Sequence, residues 1–288
     1  MYKINYLLEE WFQMGSPQLN ERHIIPENLP DNIVINVCGV RRAGKTYSVY
    51  EFADRLKKKY DPRNIVYFNL EDIRLYPLSG NELLNLPKVF LENYSYNKKQ
   101  PIWFLIDEIQ NMSNWERTIR SFVDRRLGRF VITGSNSLIL PENIASSLRG
   151  RSFTQIIYPL SFKEFLDFKK VEKYDFQKIE FNPRKTELLN YFKEYLEFGG
   201  FPQIVLMEKQ FKKKFLSELF TTIFYRDILE KYPIRNVRVF EAFIKLLAEY
   251  NSSLFSITKL YNFLKNTLGY KLTKNTLDYE VTLFQTNT

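Results

Sequence analysis

The sequence holds one cysteine and one histidine in 288 residues. A lone Cys38 excludes an intrachain disulfide framework. Set in an apolar run, it reads as a small buried hydrophobe rather than a reactive thiol. A lone His23, with no second histidine or cysteine nearby, argues against a metal site there and suits a surface position or the flank of a bound nucleotide. Apolar runs are short: none approaches the roughly 20 residues that span a bilayer, so no membrane partner is expected. The first ten residues place Glu9 and Glu10 where a signal peptide has its apolar core, which points to the cytoplasm. Acid is the scarcer charge, with 33 Asp and Glu against 42 Lys and Arg, for a net +9. That balance favours polyanionic partners, duplex DNA among them. Clusters such as Lys57-Lys58-Lys59 and Lys212-Lys213-Lys214 fit solvated helix faces equally well. Aromatics are what the chain has in quantity, 25 Phe and 19 Tyr; most suit a core, and exposed rings can stack on bases.

Glycine is scarce too, ten in all, and two of the ten frame Gly39-Val40-Arg41-Arg42-Ala43-Gly44-Lys45-Thr46. This octapeptide fits G-x-x-x-x-G-K-[ST], the phosphate-binding P-loop. Ile33–Cys38 before it reads as a buried strand, and the stretch from Tyr47 to Tyr60 after it as a helix, which is the context such a loop needs. Backbone N–H groups from Gly39 through Tyr47 can curl around phosphate oxygens at a helix N-terminus. Lys45 can neutralise β/γ-phosphate charge, and the Thr46 hydroxyl can ligate Mg²⁺.

Four more apolar runs follow: 64–70, 102–106, 129–133 and 153–158. Helical periodicity separates the first strands, over 47–60, 80–94 and 114–127. Strands alternating with helices predict βαβ crossovers and a parallel sheet covered on both faces. Residues 1–30 read as an amphipathic helix and a proline-containing approach. After Ser161 the pattern turns helical, as over 188–197, 212–230 and 239–249, with a turn at Phe198-Gly199-Gly200-Phe201-Pro202.

The third strand ends in Asp107-Glu108. An apolar strand followed by Asp-Glu is the Walker B pattern: Asp107 supports Mg²⁺ and Glu108 polarises the attacking water. Alternatively, Asp107 caps a helix beginning near Ile109. The fourth strand ends Thr133-Gly134-Ser135-Asn136-Ser137, where Asn136 can sense the γ-phosphate or Ser135 and Asn136 form an ordinary turn. Arg149 and Arg151, around Gly150, can offer a guanidinium to phosphate oxygens in their own chain or a neighbouring subunit, as can Arg41 and Arg42. A solvated basic loop fits equally well.

Taken in order, these pieces resemble the AAA-type ATPases of the AAA_14/DUF4143 group, close to the archaeal ATPase family of the MNS clade. The residues that carry the likeness are Gly39–Thr46, Tyr67-Phe68-Asn69-Leu70-Glu71-Asp72, Phe104–Gln110, Ile132–Ser137, Leu148-Arg149-Gly150-Arg151, Pro159–Phe165, Gly199–Pro202 and Tyr225-Arg226-Asp227-Ile228. The resemblance implies an α/β P-loop NTPase of the additional-strand type with parallel sheet order 5-1-4-3-2, then an all-α lid and a partial winged-helix region. The corresponding domains are an N-terminal helix and linker over 1–30, a P-loop core over 31–165, a helical lid over 166–235 and a winged-helix-like region over 236–288. Within the last, 255–264 reads as a first helix and 272–279 as the start of a recognition helix, with Lys271 and Lys274 placed for phosphate contacts. The family pattern continues beyond the point where this chain stops, so a truncated member or a fragment is expected. The implied activity is Mg²⁺-dependent ATP hydrolysis coupled to a conformational change, with a homo-oligomer or a protein as partner. The alternatives are a DNA-binding regulator or a switch that uses ATP as a ligand with little turnover. A P-loop kinase fits the inserted strand and the Asp-Glu pair less well.

Overall fold

The computed structural model describes residues 2–17, 19–76, 84–134, 147–171, 184–230, 234, 236–249 and 256–267. The chain divides into two compact units, Met1–Leu216 and Ser217–Thr288.

The first unit is built on five parallel strands: β1 (Val34–Cys38), β2 (Ile65–Asn69), β3 (Trp103–Asp107), β4 (Arg129–Thr133) and β5 (Ser152–Ile156). Their order is β2-β3-β4-β1-β5, so β4 lies between the strand that feeds the P-loop and the strand that ends in Asp107. Read from the other edge this is 5-1-4-3-2, the order implied by the family resemblance. β1 and β3 are buried along their whole length. That burial on both faces explains why they read as unbroken apolar runs rather than alternating ones. β5 differs: Phe153 and Ile156 are 39% and 37% exposed, because it is an edge strand paired only with β1.

Alternate residues of the strands feed two cores. On one face Phe68, Phe104, Ile106, Phe130 and Ile132 pack with α1 (Tyr2–Met14), α3 (Leu86–Asn93) and α4 (Trp115–Asp124). On the other, Ile35, Val37, Tyr67, Trp103, Leu105 and Val131 meet Val49, Phe52, Ala53 and Leu56 of α2 (Lys45–Lys57). Residues 47–60 were expected to be helical; the helix begins two residues earlier, at Lys45, so the P-loop lysine and threonine are its first residues. Segment 80–94 yields its helix only over Leu86–Asn93; residues 80–83 lie outside the described residues.

The chain then runs through α5 (Phe162–Phe168), α6 (Lys185–Phe198), α7 (Pro202–Leu206) and α8 (Lys209–Thr222). α5 opens on a capping box in which the Ser161 hydroxyl accepts from the Glu164 N–H, and Glu164 accepts from the Ser161 N–H. The solvated-face reading of the 212–214 lysines fails at the first of them. Lys212 is buried, donating to Glu194 at 2.7 Å and to the Val205 carbonyl, while Lys213 stays 83% exposed. The helix expected to run to Glu230 changes at Ile223–Leu229 into a π-helical turn. In the second unit, Phe224, Val239, Phe240, Phe243 and Leu246 form a separate apolar cluster around α9 (Val237–Glu249), followed by α10 (Ile257–Asn262). The expected recognition helix at 272–279, with Lys271 and Lys274, lies outside the described residues.

Candidate functional site: the P-loop and the edge of the sheet

Ligands of open parallel sheets gather at the carboxyl edge, where strands hand over to helices. Here that edge carries Gly39 after β1, Asp107 at the end of β3 and Thr133 at the end of β4. The register places Val37 opposite Thr133, and Asn69 opposite Asp107.

The loop geometry depends on glycine at two points. Gly39 has φ +147°, and a Cβ there would stand 2.2 Å from the Ile157 carbonyl oxygen. Gly44 has φ +101°, where a Cβ would meet the Pro202 ring and the Arg22 guanidinium only at ordinary contact distance, 3.5 and 3.7 Å, but an L side chain is strained. Between them Arg42 takes the left-handed region at φ +65°. Its guanidinium turns toward the α7–α8 segment, bonding Gln203 at 3.3 Å and lying 4.6 Å over the Phe215 ring. Val40 and Tyr47 are exposed, Arg41 half-buried and Ala43 buried. Lys45 is only 5% exposed, and its ammonium donates to the Gly39 and Val40 carbonyls at 3.0 and 3.1 Å. The lysine is thus held inside the curl of the loop.

Asp107 is almost wholly buried. The Tyr67 hydroxyl donates to Oδ2 at 2.8 Å, the Thr133 hydroxyl donates to Oδ1, and the Thr46 side chain hydrogen-bonds the same carboxylate. Burial pushes its pKa up, against the three hydroxyl contacts. Tyr67 is raised well above the tyrosine range, first by burial and then by the Asp107 charge, so its hydroxyl stays a proton donor. Glu108 leaves the strand in the left-handed region, at φ 53° and ψ 49°. Its N–H donates to the Thr133 hydroxyl at 3.2 Å, and its carboxylate accepts from the Gln110 amide. Left-handed backbone at a non-glycine residue costs of order 1 kcal/mol or more and persists only where its surroundings over-determine it.

The structure therefore brings together Gly39–Tyr47, Asp107 and Glu108. Asn136 lies outside the described residues. Arg149 and Arg151 are placed elsewhere. The Arg151 carbonyl accepts from Val34 N–H at the start of β1, a strand length from Gly39, and its guanidinium pairs with Asp124. Both arginines therefore belong to the amino edge of the sheet and not to the phosphate loop of their own chain.

Sequence reasoning missed four residues here. Thr133 closes one apolar run and Tyr67 sits inside another, and the pattern assigned neither a role at the site. Arg22 and Glu164 lie 142 positions apart and join only in the fold. Arg22, buried to 7% exposure, bonds Glu164 at 2.8 Å, the Ala43 carbonyl at 3.1 Å and the Tyr158 carbonyl at 3.1 Å. It thereby ties the approach segment to the P-loop and to the start of α5. Burial pushes Glu164 up, but Arg22 and the Ser161 N–H and hydroxyl outweigh it and hold the carboxyl below the usual range. A double-mutant cycle with Arg22→Ala and Glu164→Gln should therefore show a coupling of about 2 kcal/mol in urea denaturation at neutral pH. Because the folded pKa is depressed, the coupling is complete above the ordinary glutamate range and fades as acid protonates Glu164. Additive losses at neutral pH would show that the contact carries nothing.

Residues 31–166 match a family model described as an AAA domain. That stretch is an AAA domain. Its match starts at the approach to β1, ends in α5 and contains the whole sheet. A second model, a domain of unknown function (DUF8612), matches residues 189–286. Two uncharacterized relatives extend the likeness beyond the AAA domain. One, from Methanocaldococcus jannaschii, is 38% identical over 239 residues, covering 82% of this chain and 51% of its own. The other, from Haemophilus influenzae, is 30% identical over 227 residues, covering 78% and 54%. The chain thus spans about half the length of these relatives. Among solved structures, AMPPCP-bound DnaA from Aquifex aeolicus is similar at 13% identity and a TM-score of 0.35, over 97% of this chain and 86% of that one.

The AAA-domain match supports a nucleotide-binding, ATPase-like role for residues 31–166. No helix among the described residues is long and apolar enough to cross a membrane.

Proposed function

We propose that the protein binds ATP with Mg²⁺ at the P-loop and hydrolyses it slowly, coupling the reaction to a rearrangement of the helical segments that follow the AAA domain. The observation that carries this is the buried Asp107 carboxylate, joined to Thr46 of the P-loop and to Thr133, with Glu108 next in the chain. A carboxylate this buried, beside a threonine hydroxyl, suits a divalent cation that takes its remaining ligands from phosphate oxygens and water. Mg²⁺ bound there would neutralise charge developing on the β- and γ-phosphate oxygens. Among the described residues no cluster of three His, Cys, Asp or Glu offers a metal cage, which also fits a cation held jointly with its substrate.

In this reading Thr46 and Asp107 hold the metal, with Tyr67 and Thr133 fixing the carboxylate. The Lys45 ammonium exchanges the Gly39 and Val40 carbonyls for phosphate oxygens, and N–H groups of the loop hold the rest of the phosphate chain. Glu108 is the base that orients water. Asn136 senses the γ-phosphate. No guanine-reading N-K-x-D occurs in the sequence, which favours ATP over GTP. The test is phosphate release from ATP and GTP with and without Mg²⁺; failure to bind either nucleotide would sink the proposal.

A second reading, an ATP-binding switch with little turnover, draws on the Gln110 amide that occupies the Glu108 carboxylate. A base held by a neighbouring amide must be released before it can engage water. Arg149 and Arg151, placed away from their own P-loop, would reach phosphate only in a neighbouring copy, so a homo-oligomer is part of the proposal.

A further inference from the structure

The amino edge of the sheet, opposite the P-loop, carries a feature that the nucleotide site of its own chain does not use. A cavity of about 780 Å³ opens among the loops that precede the strands, lined by Lys98 before β3, Arg126 before β4, Arg129 at the start of β4 and Arg151 before β5. Its two carboxylates, Asp31 and Asp124, are already engaged: Asp31 with Arg129 at 3.3 Å and Asp124 with Arg151. Arg129 is further fixed by the Glu27 and Leu29 carbonyls and lies 4.3 Å over the Trp103 ring. Lys98 and Arg126 are exposed, and their side chains have no hydrogen-bond or ion-pair partner among the described residues. Arg126 is also held in the left-handed region, at φ 52°. Each loop doubles its cation in sequence, with Lys99, Arg125 and Arg149 all exposed.

The parallel topology creates this concentration of charge. Every βα unit returns the chain to the same edge, so loops far apart in sequence stack side by side at the inter-strand spacing of about 4.8 Å. Seven cations face two carboxylates across residues 31, 98–99, 124–129 and 149–151. Such an excess raises the local potential for a polyanion. Proteins that grip single strands pair a basic groove with exposed aromatic rings for base stacking. These loops present no exposed aromatic residue among the described residues; Tyr96, which borders the cavity, packs inward against Phe90 at 5.6 Å. Charge without stacking suits a duplex backbone, read through phosphates rather than bases.

We propose that this cavity docks the phosphate backbone of duplex DNA on the edge of the AAA domain opposite the P-loop. None of the residues lining it belongs to the expected recognition helix at 272–279, and docking needs no nucleotide hydrolysis. Because the two edges are a strand length apart, DNA and nucleotide can be bound together.

Fluorescence polarisation with a labelled mixed-sequence duplex, titrated across salt, tests it on the full chain. The Lys98→Ala/Arg126→Ala double variant should bind about tenfold more weakly at roughly 0.1 M salt and lower the salt slope by about 2, since each lost phosphate contact removes about 0.9. Its melting temperature and ATP binding should match the wild type, because both side chains are exposed and lie outside the phosphate site. Unchanged duplex affinity in this variant would overturn the proposal. So would equal binding of a single strand, no duplex binding by the wild type, or loss of binding confined to a Lys271→Ala/Lys274→Ala variant. Loss of ATP hydrolysis leaves this readout untouched, so the two proposals fail separately.

Discussion

Replacing Glu108 with Gln should reduce ATP turnover by a hundredfold or more while ATP affinity stays within about threefold of the wild type. The substitution keeps side-chain size and removes the charge. The N–H of residue 108 would still donate to the Thr133 hydroxyl, and the left-handed turn that carries the side chain off β3 would be preserved. Lys45, Thr46 and Asp107 would be untouched, so the phosphate and cation contacts persist. What disappears is a partly accessible carboxylate next to the cation site; Asp107 itself is buried and surrounded by hydroxyls. Single-turnover phosphate release and equilibrium binding of a fluorescent ATP analogue separate the two effects. Turnover equal to the wild type would remove Glu108 from the catalytic role. Gln110→Ala gives the complementary measurement. If the amide holds the carboxylate back, its loss should raise basal turnover severalfold; if it only fixes the side chain, turnover should fall.

The sheet was legible because each strand carries its own signal. Trp103–Asp107 and Arg129–Thr133 are five-residue strands with apolar centres ending in polar residues, and those polar residues mark the carboxyl edge. The P-loop was legible because Gly39 and Gly44 stand at fixed spacing before a helix. Thr133 and Tyr67 were not legible, since a polar atom aimed at Asp107 looks in sequence like one more β-former among core residues. Their roles depend on β2 and β4 flanking β3, which the residues alone did not dictate and only the family resemblance implied. Arg22 was hidden for a related reason. The proline-containing approach has no periodicity, and nothing local announces that its arginine will bond a loop carbonyl and a glutamate 142 residues away. Arg149 and Arg151 mark the opposite limit: a glycine turn between arginines looks like a phosphate ligand, but a parallel strand sends its first residues to the edge away from the loop.

The largest effect on the fold is expected from Gly39→Ala. A methyl at this position would lie 2.2 Å from the Ile157 carbonyl oxygen, well inside contact distance, and φ +147° is a conformation that L residues rarely adopt. Nor can the carbonyl readily withdraw, because the Ile157 N–H donates to the Cys38 carbonyl at 2.7 Å and locks β5's continuation to the end of β1. Either the strands part or the loop rotates. The first outcome costs about 3 kcal/mol or more of stability; the second swings the N–H groups off the phosphate position. Gly150→Ala is the matched control. That glycine has φ +73° but nothing within 4 Å of an added Cβ, so only backbone strain of about 1 kcal/mol applies. Urea denaturation with and without an ATP analogue distinguishes the two variants. Gly150→Ala should keep the stabilisation that ligand gives the wild type, whereas Gly39→Ala should lose both basal stability and that increment. Retention of ligand-induced stabilisation in Gly39→Ala would mean that the loop grips phosphate in a conformation other than this one, because the close approach at Ile157 leaves the present curl no room for a side chain.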